Sequence, residues 1–214
     1  RSVHGIPENT PTFLKVFDVD GSSAIIVPED VVGKWKPGAD IVITSNTQAW
    51  WADQRRTVTS VSPAQSGYTR LGLDASIAKP TTLKDNAGFA VEVALLSRNI
   101  VFDSEAGGGH FWIMETPTVQ QTIEGVEIVN FGQEGVLGKY PLHFHMCGDV
   151  SGSKVLRNTV RNSNQRCYVV HGSDNLLIEG NVAYDTKGHC YMTEDVSHFS
   201  LQSTIRGCAF INQF

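Results

Sequence analysis

The sequence predicts an all-β protein, a right-handed parallel β-helix with a β-rich segment at its N-terminal end. Three observations indicate this fold: the apolar runs are short and β-branched, helical periodicity is almost absent, and a repeat of roughly 22 to 26 residues runs through the C-terminal part. Such a repeat without helices is typical of stacked coils, in which each coil contributes short strands about 4.8 Å from those of the next.

The apolar runs are four to eight residues long and are bounded by Gly, Pro, Asn, Asp or Ser. Examples are "ADIVITS", "FAVEVALL", "RNIVF" and "VEIVNF", all rich in residues that favour strands. One segment, "PEDVVGKWKPGAD", is compatible with a short helical turn ahead of Pro37. We therefore expect strands along the chain and no long helix.

The repeat is visible when "VLRNTVRNS" is placed over "LLIEGNVAYD" further along the chain. A shift of 22 residues brings Val155 to Leu177 and Val160 to Val182. Apolar residues then stack on apolar residues inside the coil, and asparagines fall at corners, where the left-handed backbone conformation is needed. We interpret the two segments as neighbouring coils of one helix.

The repeat is absent from the first hundred residues, which instead look like a meander of short strands. We therefore expect a β-rich N-terminal segment over residues 1–95, packed on the helix, and the parallel β-helix itself over residues 96–214. The sequence stops in mid-pattern at "CAFINQF", so a fragment of a longer protein is expected.

Charge and composition exclude some classes of partner. The chain has 214 residues, a formal net charge of −5 and a sequence pI near 5.8, so nucleic acid is not expected as a partner. No apolar stretch reaches the roughly 18 residues that cross a bilayer, so no transmembrane segment is expected in this chain.

Four cysteines lie in the last third of the chain, and none forms a CxxC motif, so a zinc ribbon is not supported. Buried thiols and two disulfides are both compatible with the count. The four are Cys147, Cys167, Cys190 and Cys208.

Four histidines form the clearest candidate site. His143 and His145 are two residues apart on an expected strand, so their side chains share a face. His171 follows about one coil later, and His189 comes further along the chain. Imidazoles on neighbouring coils lie close enough to share one divalent metal ion, zinc or calcium. The alternative is a structural ladder in which each histidine hydrogen-bonds the backbone.

Carboxylates are the candidates for catalysis on a glycan, because glycosidases need two of them at a defined separation. Glu194 and Asp195 are adjacent, so on a strand they point to opposite faces. Asp185 with Glu194 is the candidate catalytic pair, provided that the fold brings them together. Asp185 can instead satisfy a backbone N–H at a corner as an Asx-turn.

Aromatic and basic residues are the candidates for glycan contact. A tryptophan pair, Trp50 and Trp51, adjoins a polar loop and offers rings for stacking on sugars, with core packing of both rings as the alternative. Trp112 is expected in the core. A basic strip of Arg157, Arg161 and Arg166 would hold an acidic polysaccharide despite the negative net charge.

The ordered segments "YPLHFHMCGD", "CYVVHG" and "YDTKGHC" resemble the β-helical ectodomain family of the cell migration-inducing and hyaluronan-binding protein and of fibrocystin-like proteins. The resemblance extends from about residue 30 to residue 195. The short link "GDVSGSKV" resembles the fibrocystin-like branch. The resemblance implies an extracellular or cell-surface location. It also implies a polysaccharide such as hyaluronan, or neighbouring extracellular protein modules, as partners.

Three functions remain open at this point. The first is a structural or glycan-binding β-helix domain with a histidine-rich metal site. The second is a glycan depolymerase of the hyaluronidase kind, which the resemblance implies for part of the family. The third is an assembly module of an extracellular filament or coat, because an uncapped β-helix end exposes strand edges that favour docking.

Overall fold

The computed structural model describes residues 2–5, 10–45, 52–78, 83, 90–195, 204–206 and 209–213. The chain divides into two compact units, one of residues Pro7–Ser97 and one of residues Arg98–Phe214 together with Arg1–Ile6. The all-β prediction is confirmed: the described residues form strands joined by turns and short 3₁₀ segments such as Gln65–Gly67. None of the helices found in the described part is long and apolar enough to cross a membrane.

In chain order the strands are β1 (Ser2–His4), β2 (Phe13–Lys15), β3 (Asp18–Val19), β4 (Ala24–Val27), β5 (Asp40–Ile43), β6 (Gln54–Pro63), β7 (Thr69–Leu73), β8 (Glu92–Leu95), β9 (Ile100–Asp103), β10 (Phe111–Ile113), β11 (Thr122–Glu124), β12 (Val126–Val129), β13 (Leu142–Asp149), β14 (Lys154–Leu156), β15 (Thr159–Ser163), β16 (Tyr168–Asp174), β17 (Leu177–Glu179), β18 (Val182–Thr186), β19 (Tyr191–Glu194), β20 (Thr204–Arg206) and β21 (Ala209–Gln213).

The first unit is a seven-stranded antiparallel sheet in the order β2-β8-β5-β6-β7-β4-β3. Its core contains Ile25, Ile41, Leu71 and Trp35, which are almost fully buried. The Trp35 indole donates a hydrogen bond to the carbonyl of Pro11 at 2.9 Å, so its polar atom is satisfied inside this core.

The second unit is a parallel β-solenoid of about four turns. Three parallel sheets run along it, in the orders β1-β11-β14-β17-β20, β10-β13-β16-β19 and β9-β12-β15-β18-β21. Every complete coil therefore adds one strand to each sheet. Strand β1 pairs with β11, so residues 2–4 belong to the solenoid and not to the N-terminal segment in which the sequence placed them.

The register of the coils differs by one position from the one expected. Val155 lies opposite Ile178, and Val160 lies opposite Ala183, a shift of 23 residues that also separates Asn158 from Asn181. Other neighbouring strands are 26 residues apart, as for His145 opposite His171. The expected shift was wrong because several neighbouring positions are apolar, so apolar matching does not distinguish two shifts that differ by one position.

Two buried asparagines at a corner account for the observed register. Asn158 and Asn181 are fully buried and lie 23 residues apart. The side-chain oxygen of Asn181 accepts hydrogen bonds from the backbone N–H and from the side-chain amide of Asn158, both at 2.9 Å. Asn181 in turn donates to the carbonyl of Val155 at 2.8 Å. A slip of one residue would break this ladder and turn each strand's side chains to the opposite face.

A tight contact between two coils gives a test of the stacking. A Cβ added to Gly188 would lie 2.5 Å from the backbone nitrogen of Arg166 and 2.8 Å from the carbonyl carbon of Gln165. Both atoms are backbone and cannot swing aside, so we expect Gly188→Ala to lower the free energy of unfolding by about 1–3 kcal/mol. Urea unfolding measures this loss of stability, and Lys187→Ala, a change at an exposed position, is the control. Unchanged stability in Gly188→Ala would show that the two coils are not so closely stacked.

Candidate functional site

The site is built on the sheet β10-β13-β16-β19, hereafter the histidine sheet. Along β13 the side chains alternate: Leu142 and Phe144 enter the solenoid core, whereas His143 and His145 lie on the outer face. His171 in β16 lies directly opposite His145 in the parallel register. The strand alternation and the coil length of 26 residues together place these three imidazoles side by side.

The structure brings three of the four predicted histidines together. One ring nitrogen from each of His143, His145 and His171 lies within 4.8 Å of the other two. The Nδ1 atoms of His145 and His171 are 3.1 Å apart. His189 is exposed, follows strand β18 and is not part of this group. The residue opposite His171 on the next coil is Glu194.

His143 presents a buried nitrogen to the cluster. The residue is 1% exposed, and its Nδ1 lies 3.1 Å from the carbonyl oxygen of Gly138. A carbonyl only accepts, so Nδ1 carries the proton and Nε2 carries the lone pair. Nε2 is buried and has no hydrogen-bond partner among the described residues. Burial lowers the pKa of His143, outweighing the opposing effect of the hydrogen bond to Gly138, and so favours the neutral ring.

His171 is oriented by a carboxylate on its outer side. Its Nε2 donates a hydrogen bond to Asp195 at 2.9 Å, which fixes the proton on Nε2 and leaves the lone pair on Nδ1. Burial, followed by the neighbouring His171, lowers the pKa of His145 and favours its neutral form as well. The hydrogen bonds of His143 to Gly138 and of His171 to Asp195 therefore fix the tautomer of each ring, as such bonds do for histidines that bind metal ions.

A tryptophan and a lysine lie on one side of the cluster. Trp112 in β10 is opposite His143 and stacks on it with ring centroids 5.9 Å apart. It is 42% exposed, so its expected place in the core was wrong. Successive side chains on a strand point to opposite faces, so a strand that turns Phe111 and Ile113 inwards turns Trp112 outwards. This alternation was the signal that could have placed the Trp112 ring on the outer face. Lys139 lies 5.3 Å from the Trp112 ring centroid.

An arginine, a tyrosine and a glutamate lie on the other side. The Arg166 guanidinium donates to the hydroxyl of Tyr140 at 3.2 Å and forms an ion pair with Glu194. The Tyr140 ring packs edge-on against His143, with centroids 4.9 Å apart. The charge of Glu194 also acts on His143, where it opposes the effect of burial on the pKa. Arg166 is thus the predicted basic residue that lies near the histidines.

The other two predicted arginines are paired with carboxylates away from the histidine sheet. Arg157 follows β14 and forms an ion pair with Glu124, and Arg161 in β15 is bonded to Glu127 at 2.6 Å. The three arginines therefore do not form one continuous, unpaired strip.

The two carboxylates of the predicted catalytic pair lie on different sheets of the solenoid. Asp185 is in β18 and Glu194 is in β19, which belong to different sheets. Asp185 has a φ of 53°, the left-handed conformation expected of a corner residue. Trp50 and Trp51 lie outside the described residues.

Comparisons with known proteins agree with this architecture. Residues 106–201 match the family model described as the CEMIP beta-helix. The human cell surface hyaluronidase CEMIP2 is 30% identical over 78% of this chain, which corresponds to 14% of that protein. The human cell migration-inducing and hyaluronan-binding protein is 29% identical over 86% of this chain and 15% of its own length.

A G8 domain-containing protein of Dictyostelium discoideum is 32% identical over 87% of this chain and 13% of its own length. The chain therefore spans about one seventh of these relatives. The resemblance to fibrocystin-like proteins stays a prediction. Residues 106–201, which lie within the solenoid of stacked parallel strands, are therefore similar to the CEMIP beta-helix family.

Proposed function

We propose that the chain is an extracellular or cell-surface β-solenoid domain that binds an acidic polysaccharide on the outer face of the histidine sheet, around a three-histidine site for a divalent metal. The single observation that carries the metal site is the buried Nε2 of His143, which lacks a hydrogen-bond partner in the described part of the chain. An unpaired buried nitrogen costs free energy unless a ligand engages it.

The donor set favours zinc over calcium. Calcium takes six to eight oxygen ligands, whereas imidazole nitrogens suit zinc and its neighbours in the first transition row. Two nitrogens bound to one tetrahedral zinc at about 2.0–2.1 Å are about 3.3 Å apart. The observed 3.1 Å between His145 and His171 is close to that separation. Bound there, zinc would supply a Lewis acid with one coordination position left for a ligand.

The surroundings of the cluster favour an acidic ligand. Lys139 lies on one side of the histidines, and on the other lies Arg166, a guanidinium with five N–H donors that pairs with Glu194. Such cations attract carboxylates of a uronic acid polymer, and the exposed part of the Trp112 ring offers an apolar surface beside them. Two human relatives have hyaluronan or hyaluronidase in their names, which supports hyaluronan as the ligand and a location outside the cell.

Binding of hyaluronan oligosaccharides, measured by calorimetry on the zinc-loaded chain, tests the proposal. We expect Lys139→Gln and Arg166→Gln each to weaken binding roughly threefold to tenfold, and more strongly at low than at high salt. Lys154→Gln is the matched control, because Lys154 is exposed in β14 on another sheet. Equal affinities for all four proteins, or no binding at all, would contradict the proposal.

Depolymerisation of the glycan is a second candidate function, and the position of Glu194 favours it. Its carboxylate lies opposite His171 and is held by Arg166, so an ionisable group stands beside the histidines. Incubation with long hyaluronan followed by sizing of the product tests this. The enzyme candidate predicts shortening by the wild-type chain and none by Glu194→Gln; intact polymer with both proteins would reject it.

A further inference from the structure

A surface cavity of about 150 Å³ lies at one corner of the solenoid, between the turn after β10 and the turn after β13. Both strands belong to the histidine sheet. The cavity is smaller than the roughly 300–1,000 Å³ of pockets for drug-sized ligands, so its size suits a single small ring.

One carboxylate in this cavity is preorganised as a hydrogen-bond acceptor. The Oδ1 atom of Asp149 accepts from the hydroxyl of Ser151 at 2.5 Å, from the Ser151 N–H at 2.9 Å and from the Asn175 side chain at 2.9 Å. These bonds, the Ser151 hydroxyl foremost, lower the pKa of Asp149. No described residue donates to the other oxygen, Oδ2, which is therefore ready to accept from a ligand.

The opposite wall of the cavity is fixed by the turn after β10. The Thr116 hydroxyl donates to the carbonyl of Val119 at 3.0 Å and closes this turn. Gly152 has a φ of 86°, and a Cβ there would collide with the side chain of Gln120. The glycine thus lets the Gln120 amide lie close against the second turn, and both walls are set before any ligand arrives.

The chemistry of the lining indicates the occupant. Hydroxyls, one amide and one carboxylate line the cavity together with apolar residues, and no lysine, arginine or histidine is among the lining residues in the described part of the chain. The Asp149 charge repels anions, whereas sugar hydroxyls can donate to it. Val119 is 48% exposed and offers an apolar surface to the C–H face of a ring.

We infer that this cavity is a subsite for a neutral sugar ring, such as an N-acetylhexosamine. The inference rests on the proposed function, in which the acidic rings of the polysaccharide bind beside the histidines. A neutral ring of the same polysaccharide then binds in this cavity. Asp149 follows His145 on strand β13 at roughly 10 Å, a distance that an oligosaccharide of a few rings spans. The ligand is then a polysaccharide that contains both acidic and neutral sugars.

Amide chemical shifts of the isotopically labelled chain, titrated with methyl N-acetylglucosaminide, test the subsite. We expect shifts in the two turns that line the cavity, and roughly tenfold weaker binding for Asp149→Asn. Thr118→Tyr, which fills the cavity from an exposed position, should abolish the shifts. Asp185→Asn is the matched control and should bind as the wild-type chain does. Glucuronic acid should leave the two turns unshifted.

The inference would be overturned by an absence of shifts in the two turns at high sugar concentration, by equal binding of Asp149→Asn and Asp185→Asn, or by equal shifts with glucuronic acid. The same titration on His145→Ala separates this inference from the proposed function. The neutral sugar should still bind to that variant even if metal analysis shows that the histidines hold no metal. Loss of sugar binding in His145→Ala would show that the cavity is not a subsite in its own right.

Discussion

Removal of zinc by a chelator is expected to lower the melting temperature of the wild-type chain by on the order of 10 °C. Zinc that binds the folded state alone stabilises it by about 2.7 kcal/mol at one hundred times its dissociation constant, which for a unit of this size gives a shift of that order. His145→Ala removes one of the three inward imidazoles and should abolish the difference between metal-loaded and metal-free protein. Scanning calorimetry with and without zinc measures this difference in melting temperature.

His189→Ala is the matched control for this experiment. His189 is exposed and lies outside the three-histidine group, so its loss should leave the response to zinc intact. His145→Ala is preferred to His143→Ala because His143 is buried and its removal would also leave a cavity. Identical melting of the wild-type chain with zinc and with chelator would mean that the histidines form a hydrogen-bonded ladder instead.

Asn181→Leu is expected to lower the free energy of unfolding by about 4 kcal/mol. The change keeps the number and branching of the side-chain heavy atoms but removes the acceptor for two donors of Asn158 and the donor to Val155. Buried groups left without partners cost about 1–3 kcal/mol each. Urea unfolding followed by circular dichroism should show a lower midpoint at a similar slope.

Asn162→Gly is the control for the asparagine ladder. Asn162 has a φ of 52°, which glycine adopts freely, and its amide makes a long contact of 3.5 Å with Asn130. We expect a change within about 0.5 kcal/mol. Equal stability of Asn181→Leu and Asn162→Gly would show that the buried ladder does not fix the coils in register.

The fold could be predicted because stacked coils of similar length produce a repeat in the sequence. Short β-branched runs and recurring corner asparagines are local signals, and they indicated stacked coils correctly. The register could not be settled from them, because Val155 can meet either Leu177 or Ile178 with little change in apolar matching. Hydrogen bonds between Asn158 and Asn181, which depend on burial at the corner, decide between the two.

The candidate site could be predicted in part for the same reason. Alternation places His143 and His145 on one face, and a coil of 26 residues brings His171 beside them. His189 was grouped with them although it follows His171 by less than one full coil, and Glu194 occupies the corresponding position on the next coil. The bond between His143 and Gly138 could not be foreseen, because it depends on how a loop folds back over the sheet.

X-ray absorption at the zinc edge of the metal-loaded native chain tests the central claim most directly. We predict one zinc per chain with imidazole nitrogens at about 2.0–2.1 Å, and loss of that signal in His145→Ala but not in His189→Ala. A zinc shell of oxygen ligands alone, or a nitrogen shell that persists in His145→Ala, would contradict the three-histidine site.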